Sequence, residues 1–136
     1  MRASTMYADV QVQTGVSGAD SVRLIQMLFD GLLESFSIAR GHIERKDIQG
    51  RSEAIDRANR IILGLQTALD FEKGGELAQN LNELYAYVLR RLMQVNLKND
   101  LDVLGEVHGL MEDIAKAWST LPQTTRNYTP HLRIVN

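Results

Sequence analysis

Apolar residues recur through most of this chain in steps of three and four, interrupted by three short polar breaks. Ile25, Leu28, Leu32, Phe36, Ala39 and Ile43 fall on one face of a helix predicted over 19–45. Ser17 or Asp20 supplies an oxygen suited to its N-cap. After the break at 46–50, Ile55, Ala58, Ile62, Leu65 and Leu69 form the two-position heptad seam of a second helix over 51–71. Glu72-Lys73-Gly74-Gly75 predicts a turn, because two glycines tolerate the positive φ that ends a helix. A third helix over 76–97 then carries the seam Leu77, Leu81, Leu84, Val88 and Val95, with Leu92 beside it. Asp100 follows the last break as an N-cap for a fourth helix over 101–121, whose seam is Leu104, Val107, Met111, Ile114 and Trp118.

Four helices of similar length joined by short breaks predict an all-α fold: a single-domain antiparallel up-down four-helix bundle. The two prolines, Pro122 and Pro130, both lie beyond it, so nothing interrupts the helical periods. The expected organisation is an extended N-terminal arm over 1–16, the bundle over 17–121, and a flexible C-terminal tail over 122–136.

Composition narrows the function classes. With no cysteine, the 136-residue chain has no disulfide framework, thiol nucleophile or cysteine-ligated metal. Seventeen acidic residues against fifteen basic ones leave a net charge of −2, without the basic excess of a nucleic-acid binder. Arg90-Arg91, the adjacent basic pair of the helical body, reads as a solvated face. No apolar run approaches the roughly 20 residues that span a bilayer, and the N-terminus lacks a signal-peptide pattern. A soluble, unsecreted protein is expected.

Catalytic constellations are missing. A di-metal bundle site needs Glu-x-x-His on two helices, but Ala39 and Gly105 stand three residues before His42 and His108. His108 and Glu112 are four apart, with no nucleophile or second acid beside them, and read as a surface contact. No phosphate loop, nucleophile elbow or dinucleotide motif occurs. The chain is expected to be no enzyme, with no cofactor and no metal.

The informative feature is apolar surplus, since a bundle helix needs one apolar stripe. Helix 1 carries Met27 and Ile38 nearly opposite its seam, with Gly31 on the same outer face. Helix 2 adds Ala54, Ile61 and Ala68; helix 4 adds Val103, Leu110 and Ala117; helix 3 has Tyr85 and Leu89 on a flank. Such rows either widen the core stripe or form a groove for another amphipathic helix. Tyr7 and Val10 in the arm either cover such a groove when no partner is bound or belong to a plainly disordered arm.

Several stretches resemble the FliS family of flagellar secretion chaperones: Leu24-Ile25-Gln26-Met27-Leu28-Phe29-Asp30-Gly31, then Gly74-Gly75-Glu76-Leu77-Ala78, Asn80-Leu81, Leu84-Tyr85-Ala86-Tyr87, Arg91-Leu92, Asn96 and Ala117-Trp118. Phe29 departs from the tyrosine common at its position. The resemblance spans about residues 5–120. It implies a four-helix bundle that binds the disordered C-terminal segment of flagellin in the cytoplasm, prevents premature polymerisation and aids flagellar type III secretion. It also implies that the client wraps the bundle as extended and helical pieces, with Tyr7 matching the arm tyrosine that occupies part of the site. Other flagellar export or regulatory proteins are further partners on this reading, with no nucleic acid and no membrane insertion. The alternative is a bundle adaptor for a different amphipathic helix, such as that of a flagellar regulator. The expected client-binding residues are Tyr7, Val10, Met27, Ala54, Ile61, Ala68, Asn80, Tyr85, Val103, Leu110 and Ala117, with Asn80 and Tyr85 hydrogen-bonding client backbone.

Overall fold

The computed structural model of the chain describes residues 18–121. Four helices follow in order: α1 (Gly18–Glu44), α2 (Ile48–Thr67), α3 (Phe71–Lys98) and α4 (Leu101–Thr120). Two- and three-residue connections make successive helices antiparallel neighbours. α1 packs against α2 and α4, and α3 packs against the same two, which closes a four-helix ring around one core. Ile25, Leu32 and Phe36 of α1 meet Ile55, Ile62 and Leu65 of α2, with Val88 and Leu92 of α3 and Leu104 and Met111 of α4 completing the interior. Burying each such side chain contributes about 1.5–3 kcal/mol, so the seams supply most of the driving force.

Local chemistry sets each helix end. α1 stops in two closing hydrogen bonds, Lys46 N–H to the Ile43 carbonyl and Asp47 N–H to the His42 carbonyl, with Lys46 at φ 60°. Asp47 then caps α2: its carboxylate accepts the Gly50 N–H at 2.9 Å. The Gly50 N–H chiefly, with His42 beside it, holds the Asp47 carboxyl below its usual range. A Cβ at Gly50 would overlap the His42 ring, which explains glycine in this helix. α2 therefore begins three residues earlier than its apolar seam suggests and ends at Thr67, leaving Leu69 buried in the connection. Asp20 lies inside α1, and Ser17 falls outside the described residues.

The predicted turn at 72–75 sits inside α3. Asp70 caps this helix by accepting the Glu72 and Lys73 N–H groups at 3.0 Å, so the first turn forms before the glycines. The break occurs at Gly75 alone, which adopts φ 52° and ψ −129°. That backbone is open essentially only to glycine. At the far end Asn99 ends α3 in the left-handed region, and Asp100 caps α4 through the Val103 N–H at 3.0 Å.

The phase of α3 also differs from the predicted seam. Ala78, Tyr85, Val88, Leu92 and Val95 are buried, whereas Leu77 is 44% exposed and Leu84 is half-buried. The helix has turned so that Leu77 and Leu84 flank the side facing α4. Gly31 is not on an outer face either. A Cβ there would lie 3.4 Å from Ile61 Cδ1 and 3.3 Å from Arg57 Nη2, so it lets α2 approach α1.

Candidate binding cleft

α3 and α4 are clamped midway along their contact. The Tyr87 hydroxyl donates to Glu106, and Arg91 Nε donates to the same carboxylate at 3.1 Å. The hydrogen bond from Tyr87 first, then Arg91, lowers the Glu106 carboxyl, while Glu106 raises the Tyr87 phenol. Arg90 and Arg91 both lie about 6 Å from the Tyr87 ring centre, at 5.9 and 6.0 Å. The basic pair thus belongs partly to this clamp rather than wholly to a solvated face.

Beyond the clamp, toward Gly75, the helices part around a cleft of about 190 Å³. Leu77, Leu81 and Tyr85 line it from α3; Ile114, Ala117 and Trp118 line it from α4, with Phe29 of α1 and Leu121 completing it. The Phe29 and Trp118 rings meet edge to face, centroids 6.1 Å apart, and stiffen the floor. Tyr85 is 1% exposed, and burial pushes its phenol up, so it stays neutral. Among the described residues, no ionisable group other than this phenol lines the cleft. It suits an apolar surface such as one face of a helix. Because the helices alternate in direction, the start of α1 and the end of α4 lie at this same end of the bundle.

The expected contact residues divide by location. The structure brings Tyr85 and Ala117 to the cleft. Val103, Leu110 and Ala117, seven apart on α4, pass from buried through half-buried to exposed toward the cleft end of the helix. Ala54, Ala68, Val103 and Tyr85 are core side chains, so as rows they widen the apolar stripe instead of forming an open groove. Ile61 and Leu110 are half-buried against that core. Met27 and Asn80 are exposed on α1 and α3. Exposed Ile38 borders a shallower depression between α1 and α2, with Ala54 and Arg57. His108 turns its ring onto Phe36, centroids 5.6 Å apart. Tyr7 and Val10 fall outside the described residues.

Leu77, Leu81, Ile114 and Trp118 line the cleft although the heptad pattern assigns them to the core. The sequence signal beside them is Gly75, which breaks the helix two residues before Leu77. Among the described residues no group of acidic, histidine or cysteine side chains is placed to hold a metal ion. No helix among them is long and apolar enough to cross a membrane.

The family model described as flagellar protein FliS matches residues 3–125. A flagellar secretion chaperone FliS of Salmonella typhimurium is 47% identical over 116 residues, 85% of this chain and 86% of the relative. The flagellar secretion chaperone FliSB of Pseudomonas aeruginosa is 43% identical over 118 residues, 87% of this chain and 94% of the relative. The Bacillus subtilis flagellar secretion chaperone FliS is 34% identical over 122 residues, covering 90% and 87%.

Proposed function

This chain belongs to the FliS family, and from that premise we propose that it is a cytoplasmic flagellar secretion chaperone that binds the C-terminal segment of flagellin and keeps it from polymerising before export. The open, largely apolar cleft between α3 and α4 carries the reading, because it leaves Leu77, Leu81, Ile114 and Ala117 without full cover in the isolated bundle. A client segment that orders on binding gives up roughly 2–5 kcal/mol, so it needs a wide surface prepared in advance. The clamped bundle provides one: the Phe29–Trp118 floor and the Tyr87–Glu106–Arg91 contact already hold the cleft walls in place. Chaperoning of this kind is binding work; it uses no bond-making group and no nucleotide.

Pull-down of flagellin, intact and lacking its C-terminal ~40 residues, tests the proposal (a coupled-folding segment of ordinary length). Capture of intact flagellin and loss of the truncated form is expected. Equal capture of both forms would remove the C-terminal segment as the client.

A further inference from the structure

α4 ends on the cleft itself. Leu121 closes the helix with an extended backbone, φ −69° and ψ 148°, and lines the cleft. Pro122 follows; its ring cannot continue the helix and favours the extended form at Leu121. The chain from 122 onward therefore leaves from the rim of the cleft. That rim is incompletely covered: Leu77 is 44% exposed, Leu81, Ile114 and Leu121 are half-buried, and Ala117 is exposed.

The residues that follow suit that rim in reach, size and charge. Residues 123–127 are all polar, whereas Tyr128, Leu132, Ile134 and Val135 gather apolar area beyond them. Fully extended, residues 122–127 span about 20 Å, roughly twice the ~10 Å that a helix rises from Ile114 to Leu121. The apolar stretch can thus reach any part of the cleft. An apolar cavity of about 150 Å³ accepts a benzene molecule. The cleft, at about 190 Å³, has room for aliphatic side chains of similar bulk. Residues 122–136 carry Arg126 and Arg133 and no acid, while the cleft walls, 71–85 and 110–121, carry five acidic residues against two lysines. Opposite signs draw the two together. The family match ends at residue 125, so this apolar and basic stretch lies beyond it.

We propose that residues 128–135 fold back across the α3/α4 cleft, with Leu132 and Ile134 seated on it, and compete there with the client. In an extended segment, side chains two apart share a face. Leu132 and Ile134 then meet the cleft together, while Arg133 turns outward to the acidic walls. A short tether gives an effective concentration on the order of mM, so a weak contact is enough to close the cleft much of the time. The client's apparent Kd rises by the inverse of the open fraction; with the cleft closed for roughly two-thirds to nine-tenths of the time, that is about three- to tenfold. The chain thereby screens its own site against weak or partial clients. The competition rests on the chaperone reading above; the docking of the tail does not.

The test compares the full chain with the double variant Leu132→Ser, Ile134→Ser. Both positions lie beyond α4, so the four helices keep their own sequence. A photo-crosslinking residue at Leu77, on the exposed rim, should join residues 126–136 of the same chain. Those crosslinks should vanish in the double variant, and also when a synthetic flagellin C-terminal segment is added in excess. By calorimetry, the segment should bind the double variant about three- to tenfold more tightly than it binds wild type. Equal affinities, with Leu77 crosslinked to no residue beyond 125, would overturn the inference and leave the chaperone reading standing. Crosslinks to residues 1–17 instead would assign the cover to the N-terminal arm, and crosslinks between two copies would assign it to self-association; either would overturn the inference. Tail crosslinks that the double variant abolishes, with no binding of the segment by either protein, would overturn the chaperone reading and uphold the docking.

Discussion

Replacing Gly75 by alanine isolates the backbone kink that precedes the cleft-lining turns of α3. Gly75 sits at φ 52° and ψ −129°, and a Cβ built there meets no neighbour within 4 Å. The change therefore adds no steric overlap with another residue; its cost is dihedral. Holding an L-residue in that region costs about 1–3 kcal/mol. Alanine also narrows the unfolded ensemble, which returns about 0.4–1 kcal/mol. The net expectation is a loss of about 1–2 kcal/mol. With a urea slope of about 2 kcal/mol/M, the unfolding midpoint falls by about 0.5–1 M. Gly74→Ala is the control, because Gly74 lies in the first turn of α3 without a positive φ. There alanine should be neutral or slightly stabilising. Circular dichroism follows the helices, and Trp118, the single tryptophan, reports the cleft independently by fluorescence. If Gly75→Ala proves as stable as Gly74→Ala by both probes, Gly75 does not hold the conformation described, and the account of the α3 kink fails.

Other predictions address the helix ends. Lys46 is exposed at φ 60°, so Lys46→Gly should stabilise the protein by about 1 kcal/mol, measured by urea unfolding; a destabilised variant would contradict the closing turn of α1. Gly50→Ala forces the His42 ring aside and should cost about 1–3 kcal/mol, with a matching fall in thermal midpoint; an unchanged midpoint would mean the helices are less closely apposed. The Val103 N–H, then Gln94, lowers the Asp100 carboxyl. Its folded pKa is below the unfolded value of about 3.9, so its contribution is present above that value and is lost as pH falls through the folded one. Asp100→Asn, which still caps, should leave neutral-pH stability nearly intact and flatten the acid decline in thermal midpoint; an unaltered acid slope would contradict the assignment.

The bundle is legible in the sequence because α1, α2 and α4 bury most of the residues their heptad seams name, with Leu28 and Ile114 half-buried. The rotation of α3 is not. Leucines outrank Ala78 and Tyr85 in hydropathy, so periodicity favours Leu77 and Leu84, whereas packing selects a small residue for close approach and a large ring for the cleft floor. Gly74-Gly75 is legible as a break but not as a kink, since nothing local shows that Asp70 caps a turn ahead of it. The second rows on α2 and α4 look like grooves because heptad position alone does not reveal how far neighbouring helices separate. Ala54 and Val103 are covered, while Ala117 lies where α3 and α4 part.

The α3/α4 cleft as the client's seat is tested most directly by titrating the flagellin C-terminal segment into Ala117→Glu. Ala117 is exposed at the cleft wall, so a glutamate there leaves the bundle's circular dichroism and thermal midpoint close to wild type. Carried into an apolar contact, the same carboxylate is desolvated with no cation among the described residues that line the cleft. The account predicts at least a tenfold rise in Kd from a variant that remains folded. Wild-type affinity in that folded variant would contradict it.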